Sequence, residues 1–222
     1  MNDTRIELKY LISLHQTSKI LKILKTIPFN LKEKYQPRSV NNIYFDTYNN
    51  HSTMEHLDGI KNRYKIRIRW YGDFDNFLKP ILEFKIKKNK LTTKKKIFMQ
   101  NSSSKILNSK KKLIKFLETE LINNNIINFS QNFRVTRIIC YKRKYLEAKK
   151  NKIRFTIDEN LTYKFYSKDN LILFDNLRKF KQRSFNILEL KCEESQKQLI
   201  PFVERNLQLK SQSFSKFIDY RY

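Results

Sequence analysis

The sequence predicts an antiparallel α+β protein with many strands and few helices. Three observations support this. Many short segments alternate charged and apolar residues, only three stretches have helical periodicity, and neither a repeat nor a Pro/Gly/Ser-rich linker divides the 222 residues. We therefore expect a single domain over residues 1–222. Strand-like segments lie near residues 5–13, 38–46, 63–71, 80–88, 94–100, 134–147, 152–158, 161–166 and 185–191.

Residues 63–69 form the most charged of these segments. Because side chains alternate faces along a strand, four cations share one face and three apolar residues the other. The cations are Arg63, Lys65, Arg67 and Arg69, and the apolar residues are Tyr64, Ile66 and Ile68. At about 6.8 Å and an effective dielectric near 20, neighbouring cations repel by roughly 2–3 kcal/mol before screening. The row must be solvated or face an anion, and Arg67→Ala is expected to relieve repulsion within it.

Four other segments alternate in the same way and add carboxylates to the charged faces. The charged-face residues are Glu7 and Lys9; Glu83, Lys85 and Lys87; Arg154, Thr156 and Asp158; and Glu189 and Lys191. An ordinary half-exposed sheet gives the same alternation, with its charges in water. The recurrence of a few carboxylates among many cations favours a metal bound to a polyphosphate. If the strands curl into a barrel with these faces inside, the lumen becomes a cationic channel.

Three segments are predicted to be helical. Residues 17–27 carry an aliphatic stripe that stops at Pro28. Residues 103–123 place leucines at four-residue spacing, and a third helix is expected from Ser195 or Pro201 to about Leu207. The first two helices are expected to cover the aliphatic faces of the strands.

The composition favours a polyanionic partner. Lys and Arg number 47 against 21 Asp and Glu, a net charge of +26. The chain is also rich in Asn and Ile and nearly lacks Gly, as an AT-rich genome would produce. Part of the positive charge is therefore attributed to codon bias. With only Gly59 and Gly72, the chain can build neither a Walker A loop nor a dinucleotide fingerprint. Any phosphate must therefore be bound mostly by side chains.

The remaining composition points to a soluble protein of the cytoplasm. Cys140 and Cys192 make neither a metal spacing nor a disulfide framework, and the three histidines are dispersed. The N-terminus lacks a signal-peptide core, and no segment approaches the ~20 apolar residues of a membrane span. The basic surface could still touch an acidic membrane, so a peripheral position at the inner membrane surface is included in the expectation.

Several short motifs occur along the chain in a characteristic order. They are Arg5-Ile-Glu7-Leu-Lys9-Tyr10, Ile43-Tyr44-Phe45-Asp46-Thr47, Arg67-Ile-Arg69-Trp70-Tyr71-Gly72, Leu82-Glu83-Phe84-Lys85, Tyr141-Lys142-Arg143, Arg154-Phe-Thr-Ile-Asp158, Leu188-Glu189-Leu190-Lys191 and Ser215-Lys216-Phe217. Together they resemble the VTC (vacuolar transporter chaperone) polyphosphate polymerase domain of the triphosphate tunnel metalloenzyme, or CYTH-like, superfamily. The resemblance runs from about Arg5 to Lys216.

The resemblance implies an eight-stranded antiparallel tunnel that binds ATP, triphosphate or polyphosphate with Mn²⁺ or Mg²⁺. The terminal phosphate of a growing chain would attack the γ-phosphate of ATP. Glu189 would be the principal metal ligand, helped by Glu7 and Glu83, while Tyr141 would stack on the base and Ser215 would meet a phosphate oxygen. The implied phosphate ligands are Lys9, Arg67, Arg69, Lys85, Arg143, Arg154, Lys191 and Lys216.

Two positions depart from the pattern of the family. Tunnel hydrolases of the superfamily begin Glu-x-Glu-x-Lys, whereas this chain has Arg5 at the first Glu, which weakens a two-metal triphosphatase reading. Eukaryotic members carry a Lys where this chain has Ser213. We expect neither the accessory domain nor the membrane helices of the eukaryotic subunits in these 222 residues, so vectorial transport would need a separate membrane partner.

Other readings of the same residues stay open. A tripolyphosphatase or polyphosphatase, or a non-catalytic polyphosphate-binding subunit, would use the same fold. Nucleic-acid binding is disfavoured, because the strand cations alternate with aliphatic residues and leave few stacking platforms. Tyr141 could be a core aromatic, Glu83 and Glu189 could form plain ion pairs with nearby lysines, and Asp158 is expected to cap a turn. Trp70 is expected to anchor a strand, and Asp46 to shape a turn.

Overall fold

The computed structural model describes residues 5–89, 91–99, 107, 109–124, 132–150, 152–165 and 181–218. Within these residues lie ten strands and four α-helices, which confirms the predicted antiparallel α+β class with a few helices. The strands are β1 Arg5–Ser13, β2 Lys32–Glu33, β3 Arg38–Thr47, β4 Arg63–Tyr71, β5 Ile81–Lys88, β6 Leu91–Phe98, β7 Phe133–Ala148, β8 Ile153–Phe165, β9 Lys181–Gln182 and β10 Phe185–Glu193. The helices are α1 Gln16–Thr26, α2 His51–Leu57, α3 Lys110–Asn123 and α4 Ile200–Leu207, with a 3-10 helix at Glu194–Leu199.

The chain divides into two compact units. The first unit comprises residues 1–39, 141–162 and 182–215, and the second comprises residues 40–140, 163–181 and 216–222. Strand order is β1-β10-β8-β7 in the first unit and β7-β3-β4-β5-β6 in the second. The two-residue strands β2 and β9 pair with β7 and β8. A single domain over 1–222 stays a prediction.

In the first unit, helices α1 and α4 cover the aliphatic faces of β1, β8 and β10. Helix α1 contributes Ile20 and Leu24, and α4 contributes Val203 and Leu207, to a buried cluster with strand residues such as Phe155. The helix predicted at 17–27 is thus confirmed, and it ends at Thr26 just before an extended Ile27 and Pro28. The aliphatic stripe therefore covers the sheet as expected.

In the second unit, helix α3 covers the apolar faces of β3, β4 and β5. Its stripe of Leu113, Leu117 and Leu121 packs in one buried cluster with Ile66 and Ile68 of β4. The helix begins at Lys110 because the Ser109 side chain accepts a hydrogen bond from the Lys112 backbone N–H. Residues 103–106 of the predicted helix lie outside the described residues. Trp70 is fully buried in the same cluster, as an anchor should be.

Strand β8 runs continuously where the sequence predicts two strands. Asn160 lies within it at φ 54°, a left-handed conformation that Asn tolerates better than most residues. Its backbone N–H donates to the Asn186 side chain at 3.3 Å. The polar Glu159-Asn160 pair therefore marks a local kink and not the end of a strand.

Helix α2 escapes sequence-based prediction because it has no buried apolar stripe. Its buried residues are Ser52 and Thr53, and the carboxylate of Asp46 fixes its start. That carboxylate accepts from the backbone N–H groups of Thr47, Ser52 and Thr53 at 2.8–2.9 Å and from the Thr53 hydroxyl at 2.6 Å. Asp46 shapes the turn after β3, as expected. In the described part of the chain, no helix has the length and hydrophobicity to span a membrane.

Candidate functional site

The charged faces predicted for β1, β8 and β10 form one surface of the first unit. In the antiparallel register Glu7 lies opposite Lys191, and Lys9 opposite Glu189. On the other side of β10, Lys191 lies opposite Arg154. Directly opposed residues point to the same face of a sheet. The alternating pattern thus brings three cations and two carboxylates together, and we call these five residues the first cluster.

Lys191 is the centre of the first cluster. Its ammonium group lies 2.9 Å from an oxygen of Glu7 and 2.7 Å from an oxygen of Glu189. The other oxygen of Glu7 lies 3.2 Å from the Lys9 ammonium, which also donates to the Phe214 carbonyl at 3.1 Å. Two carboxylates therefore share one mobile cation. The half-buried Ser215 follows Phe214 in the chain.

Arg143 borders the first cluster and is held by a buried aspartate. Its guanidinium donates to both oxygens of Asp158 at 2.5 and 2.7 Å, and lies 3.7 Å from Glu189. Burial acts to lower the pKa of Arg143, but Asp158, Tyr141 and Glu189 raise it well above its usual value. The expectation that Asp158 caps a turn is wrong, because Asp158 lies within β8 and is fully buried against Arg143.

Tyr141 lies on the same strand beneath Arg143. It is 3 % exposed, and the Arg143 guanidinium carbon lies 5.1 Å from its ring centroid. A cation therefore already covers the ring. Stacking of a nucleotide base on Tyr141 stays a prediction.

The cations of β4 meet a carboxylate and a phenol in the second unit. Arg67 donates from Nε to an oxygen of Glu83 at 2.6 Å and from a terminal nitrogen to the Tyr44 hydroxyl at 2.9 Å. Lys94 of β6 donates to the other oxygen of Glu83. With Arg69, Lys85 and Lys216, these residues make what we call the second cluster. The row of cations in β4 is thus partly neutralised within the protein.

Charges in the second cluster shift the pKa of three of its members, Glu83, Lys94 and Tyr44. Burial acts to raise the pKa of Glu83, but Arg67, Arg69 and Lys94 together hold it well below its usual value. For Lys94, burial and the positive charges of Arg67 and Arg69 outweigh the attraction of Glu83 and lower the pKa to about 8. The cluster therefore carries more positive charge than its one carboxylate can offset. Such an excess is where an anion would bind.

Arg69, Lys85 and Lys216 complete the second cluster. Arg69 is 7 % exposed and donates to the Asn42 side chain at 2.8 Å. Lys85 is exposed and lies opposite Lys65 and Lys94 in the register of β5. Lys216 is buried, and its charge helps Arg67 and Arg69 lower the pKa of Tyr44 against the effect of burial. Every predicted phosphate ligand thus falls in one of the two clusters or at the border of the first.

The sequence reasoning missed Tyr44 and Asn42 as members of the charged face. Both lie on β3 opposite cations of β4, with Tyr44 facing Arg67 and Asn42 facing Arg69. The period-two pattern Asn42-Ile43-Tyr44-Phe45 carries that signal, because Ile43 and Phe45 lie in the core. Lys94 could be assigned only from the register of β5 and β6.

The three carboxylates predicted to bind metal divide between the two units. Glu7 and Glu189 lie in the first cluster, and Glu83 in the second. Among the described residues, no group of three or more His, Cys, Asp or Glu side chains is close enough to hold a metal ion. Mg²⁺ is commonly held by one or two carboxylates together with phosphate oxygens of the substrate. The pair Glu7 and Glu189 fits such a site, because both already contact a single cation.

Comparison with known proteins agrees with the fold. A candidate adenylate cyclase from Vibrio parahaemolyticus is 11% identical, with a TM-score of 0.52 over 98% of this chain and 97% of that one. One from Bacillus halodurans is 10% identical, with a TM-score of 0.57 over 97% of each chain. A candidate adenylyl cyclase from Hippeastrum, described as having a dominant triphosphatase activity, is 14% identical, with a TM-score of 0.54 over 96% of this chain and 93% of that one.

At these identities the likeness is one of fold alone. No curated protein matches the sequence. The model of the VTC domain family, however, matches residues 4–220, which include all strands and helices of the described residues and both charged clusters. The chain therefore belongs to the VTC domain family.

Proposed function

We propose that this protein is an ATP-dependent polyphosphate polymerase that transfers the γ-phosphate of ATP to the end of a growing phosphate chain. The observation that carries the proposal is the first cluster, where Glu7 and Glu189 share the Lys191 ammonium and further cations surround them. A phosphate chain with a divalent metal matches this mixture of charges. Family membership supports the same chemistry.

The reaction would need little from the protein beyond binding and orientation. A bond forms between an oxygen of the terminal phosphate and the γ-phosphorus of ATP, while the bond from that phosphorus to the β-γ bridging oxygen breaks and ADP leaves. Both reactants are polyanions, so their mutual repulsion opposes the approach. The cations of each cluster would offset that repulsion at the phosphates they bind, and in the first unit Arg143 and Arg154 would act as planar forks and Lys9 and Lys191 as point charges.

Glu7 and Glu189 would hold Mn²⁺ or Mg²⁺ together with phosphate oxygens. The metal would supply further neutralisation of charge on the phosphates. Lys191 would then turn from the two carboxylates toward phosphate, since a lysine side chain is flexible and its ammonium rotates freely. We expect the reaction in the cytoplasm, at the inner membrane surface if a membrane partner carries the product away.

A second candidate is a tripolyphosphatase on the same site. It is favoured by the structurally similar Hippeastrum protein, which is described as having a dominant triphosphatase activity. In that reaction water takes the place of the terminal phosphate as the attacking group. The third alternative is a subunit that binds polyphosphate without turnover. Such a subunit would need the cations of the clusters to bind phosphate but no catalytic step.

One pair of assays separates these alternatives. Purified protein is incubated with ATP and Mn²⁺ or Mg²⁺, with and without a short polyphosphate primer, and the products are resolved on a gel while ADP is measured. Release of phosphate from tripolyphosphate is measured in parallel. The polymerase proposal expects chain growth matched by ADP. Phosphate release that exceeds ADP formation would favour the phosphatase, and binding without either product would leave a binding subunit.

A further inference from the structure

A basic cavity of about 370 Å³ lies beside the first cluster, within the first unit. It is lined by five cations and only two carboxylates. The cations are Lys34, Lys149, Lys152, Arg154 and Lys191, and the carboxylates are Glu147 and Glu193. Such a lining carries a net positive charge in a concave space, where the field on an anion is strongest.

The cavity connects to the first cluster through two shared residues. Lys191, which contacts Glu7 and Glu189, also lines the cavity. Arg154 lies opposite Lys191 and lines the cavity as well. The Nε atom of Arg154 is buried and has no hydrogen-bond partner in the structure. A buried donor of this kind is costly unless a ligand satisfies it.

Two lysines of the cavity form partly exposed ion pairs with its carboxylates. Lys34 lies 2.6 Å from Glu147, and Lys152 lies 2.8 Å from Glu193, with side chains 35 % and 62 % exposed. Solvent-exposed pairs of this type contribute little to stability. An incoming anion can compete with these two carboxylates for the lysines. The five cations of the cavity exceed its two carboxylates, so a ligand that carries several negative charges fits the cavity.

A second cavity extends this basic surface. Its volume is about 820 Å³, and it shares Lys34, Glu147 and Lys149 with the first cavity. It adds the cations Lys32 and Lys150 and one carboxylate, Glu33. Because the two cavities share lining residues, they form one continuous basic surface that begins at Lys191 and continues through Lys34 and Lys149 to Lys32 and Lys150. A linear polyanion suits that arrangement better than a compact one.

We propose that this pair of cavities, which we name the lysine groove, binds the part of an inorganic phosphate chain that extends beyond the first cluster. The proposal rests on the proposed function, since it assumes that the first cluster binds phosphate. None of the residues lining the smaller cavity is aromatic, which favours a phosphate chain over nucleic-acid bases. The larger cavity is lined by two aromatic residues, Phe29 and Tyr35. Phe29 is buried, and the ring of Tyr35 already contacts Arg38 and Tyr145.

The test compares a long polyphosphate with tripolyphosphate as ligands. The triple variant Lys34→Gln, Lys149→Gln, Lys152→Gln removes three charges from the groove and leaves the first cluster intact. Binding is measured at several salt concentrations by competition with a labelled polyphosphate. For the long chain we expect at least a tenfold loss of affinity and a salt slope reduced by roughly two units, as three lost phosphate contacts imply. Tripolyphosphate affinity should stay unchanged.

A matched control removes three exposed lysines of the same unit that line neither cavity, by Lys19→Gln, Lys22→Gln and Lys197→Gln. It should leave both affinities close to those of the wild-type protein. Three results would overturn the groove. The control variant could lose as much affinity for the long chain as the groove variant, or the groove variant could lose as much affinity for tripolyphosphate as for the long chain. In the third, single-stranded DNA of the same charge would compete as strongly as polyphosphate. Wild-type protein that binds neither phosphate would instead overturn the proposed function, and the groove with it.

Discussion

Each carboxylate of the two clusters contacts two cations. Glu7 contacts Lys9 and Lys191, and Glu189 contacts Lys191 and lies 3.7 Å from Arg143. Glu83 follows the same rule with Arg67 and Lys94. Each carboxylate therefore neutralises only part of the charge of its two cations, and a local positive charge remains after these ion pairs are formed. Substitution of one partner should reveal which pairs are structural.

Arg67→Ala should lower the free energy of unfolding by about 3 kcal/mol, because it leaves the buried Glu83 carboxylate with Lys94 as its main partner. This reverses the expectation from the sequence, where removal of Arg67 only relieves repulsion along β4. Denaturant unfolding measures the change. Lys88→Ala, at the exposed end of β5, is the control and should change stability little. A wild-type stability for Arg67→Ala would show that the pair with Glu83 is not structural.

Lys94 should take up a proton when tripolyphosphate binds near pH 8 to 9. Its pKa is lowered to about 8 in the protein, so part of the population is neutral there, and a nearby phosphate would raise that pKa again. At pH 6 the group is already charged and no uptake is expected. Calorimetry in buffers of different ionisation enthalpy measures the number of protons. An uptake that persists in Lys94→Gln would assign the effect to another group.

At the scale of secondary structure, the register of the strands decides which side chains meet. Antiparallel pairing places Arg67 between Tyr44 and Glu83, and Lys191 between Glu7 and Arg154. A shift by one residue would turn every charge toward the aliphatic core. The turns that follow the strands therefore matter for the site as well as for the fold.

Asp46→Ala should destabilise the second unit by roughly 3 kcal/mol, because it removes the acceptor of four hydrogen bonds at the start of helix α2. Asp58→Ala, at the exposed C-terminal end of the same helix, changes the same charge and should have little effect. Thermal unfolding of both variants measures the difference. Equal stability of the two would mean that Asp46 does not fix the turn.

The period-two and helical patterns predict most elements, because they report directly which face is buried. Strand β4 and the residues on each of its faces follow from alternation alone. Helix α2 does not follow from a pattern, because the hydrogen bonds of the Asp46 carboxylate fix its start. The continuity of β8 does not follow either, because a left-handed Asn160 lies within the strand. Ion pairs such as Arg143 with Asp158 depend on which strands are neighbours, which no local pattern reports.

At the scale of the whole molecule, a chain with a net charge of +26 concentrates part of that charge on defined faces of its sheet. Those faces carry motifs that lie within the match to the VTC domain family. Each unit has its own aliphatic core, covered by α1 and α4 in one and by α3 in the other. Under the proposed function the excess of charge would bind phosphate, while the two aliphatic cores stabilise the units.

The most direct test of the account is the metal dependence of tripolyphosphate binding, measured by calorimetry for the wild-type protein and for Glu189→Gln. The account predicts that Mn²⁺ or Mg²⁺ tightens binding to the wild-type protein and that Glu189→Gln loses most of this gain while still folding. Lys19→Ala, an exposed substitution on α1, should keep the full gain. The account would be contradicted if Glu189→Gln kept the metal dependence of the wild-type protein, or if the wild-type protein bound no phosphate with or without metal.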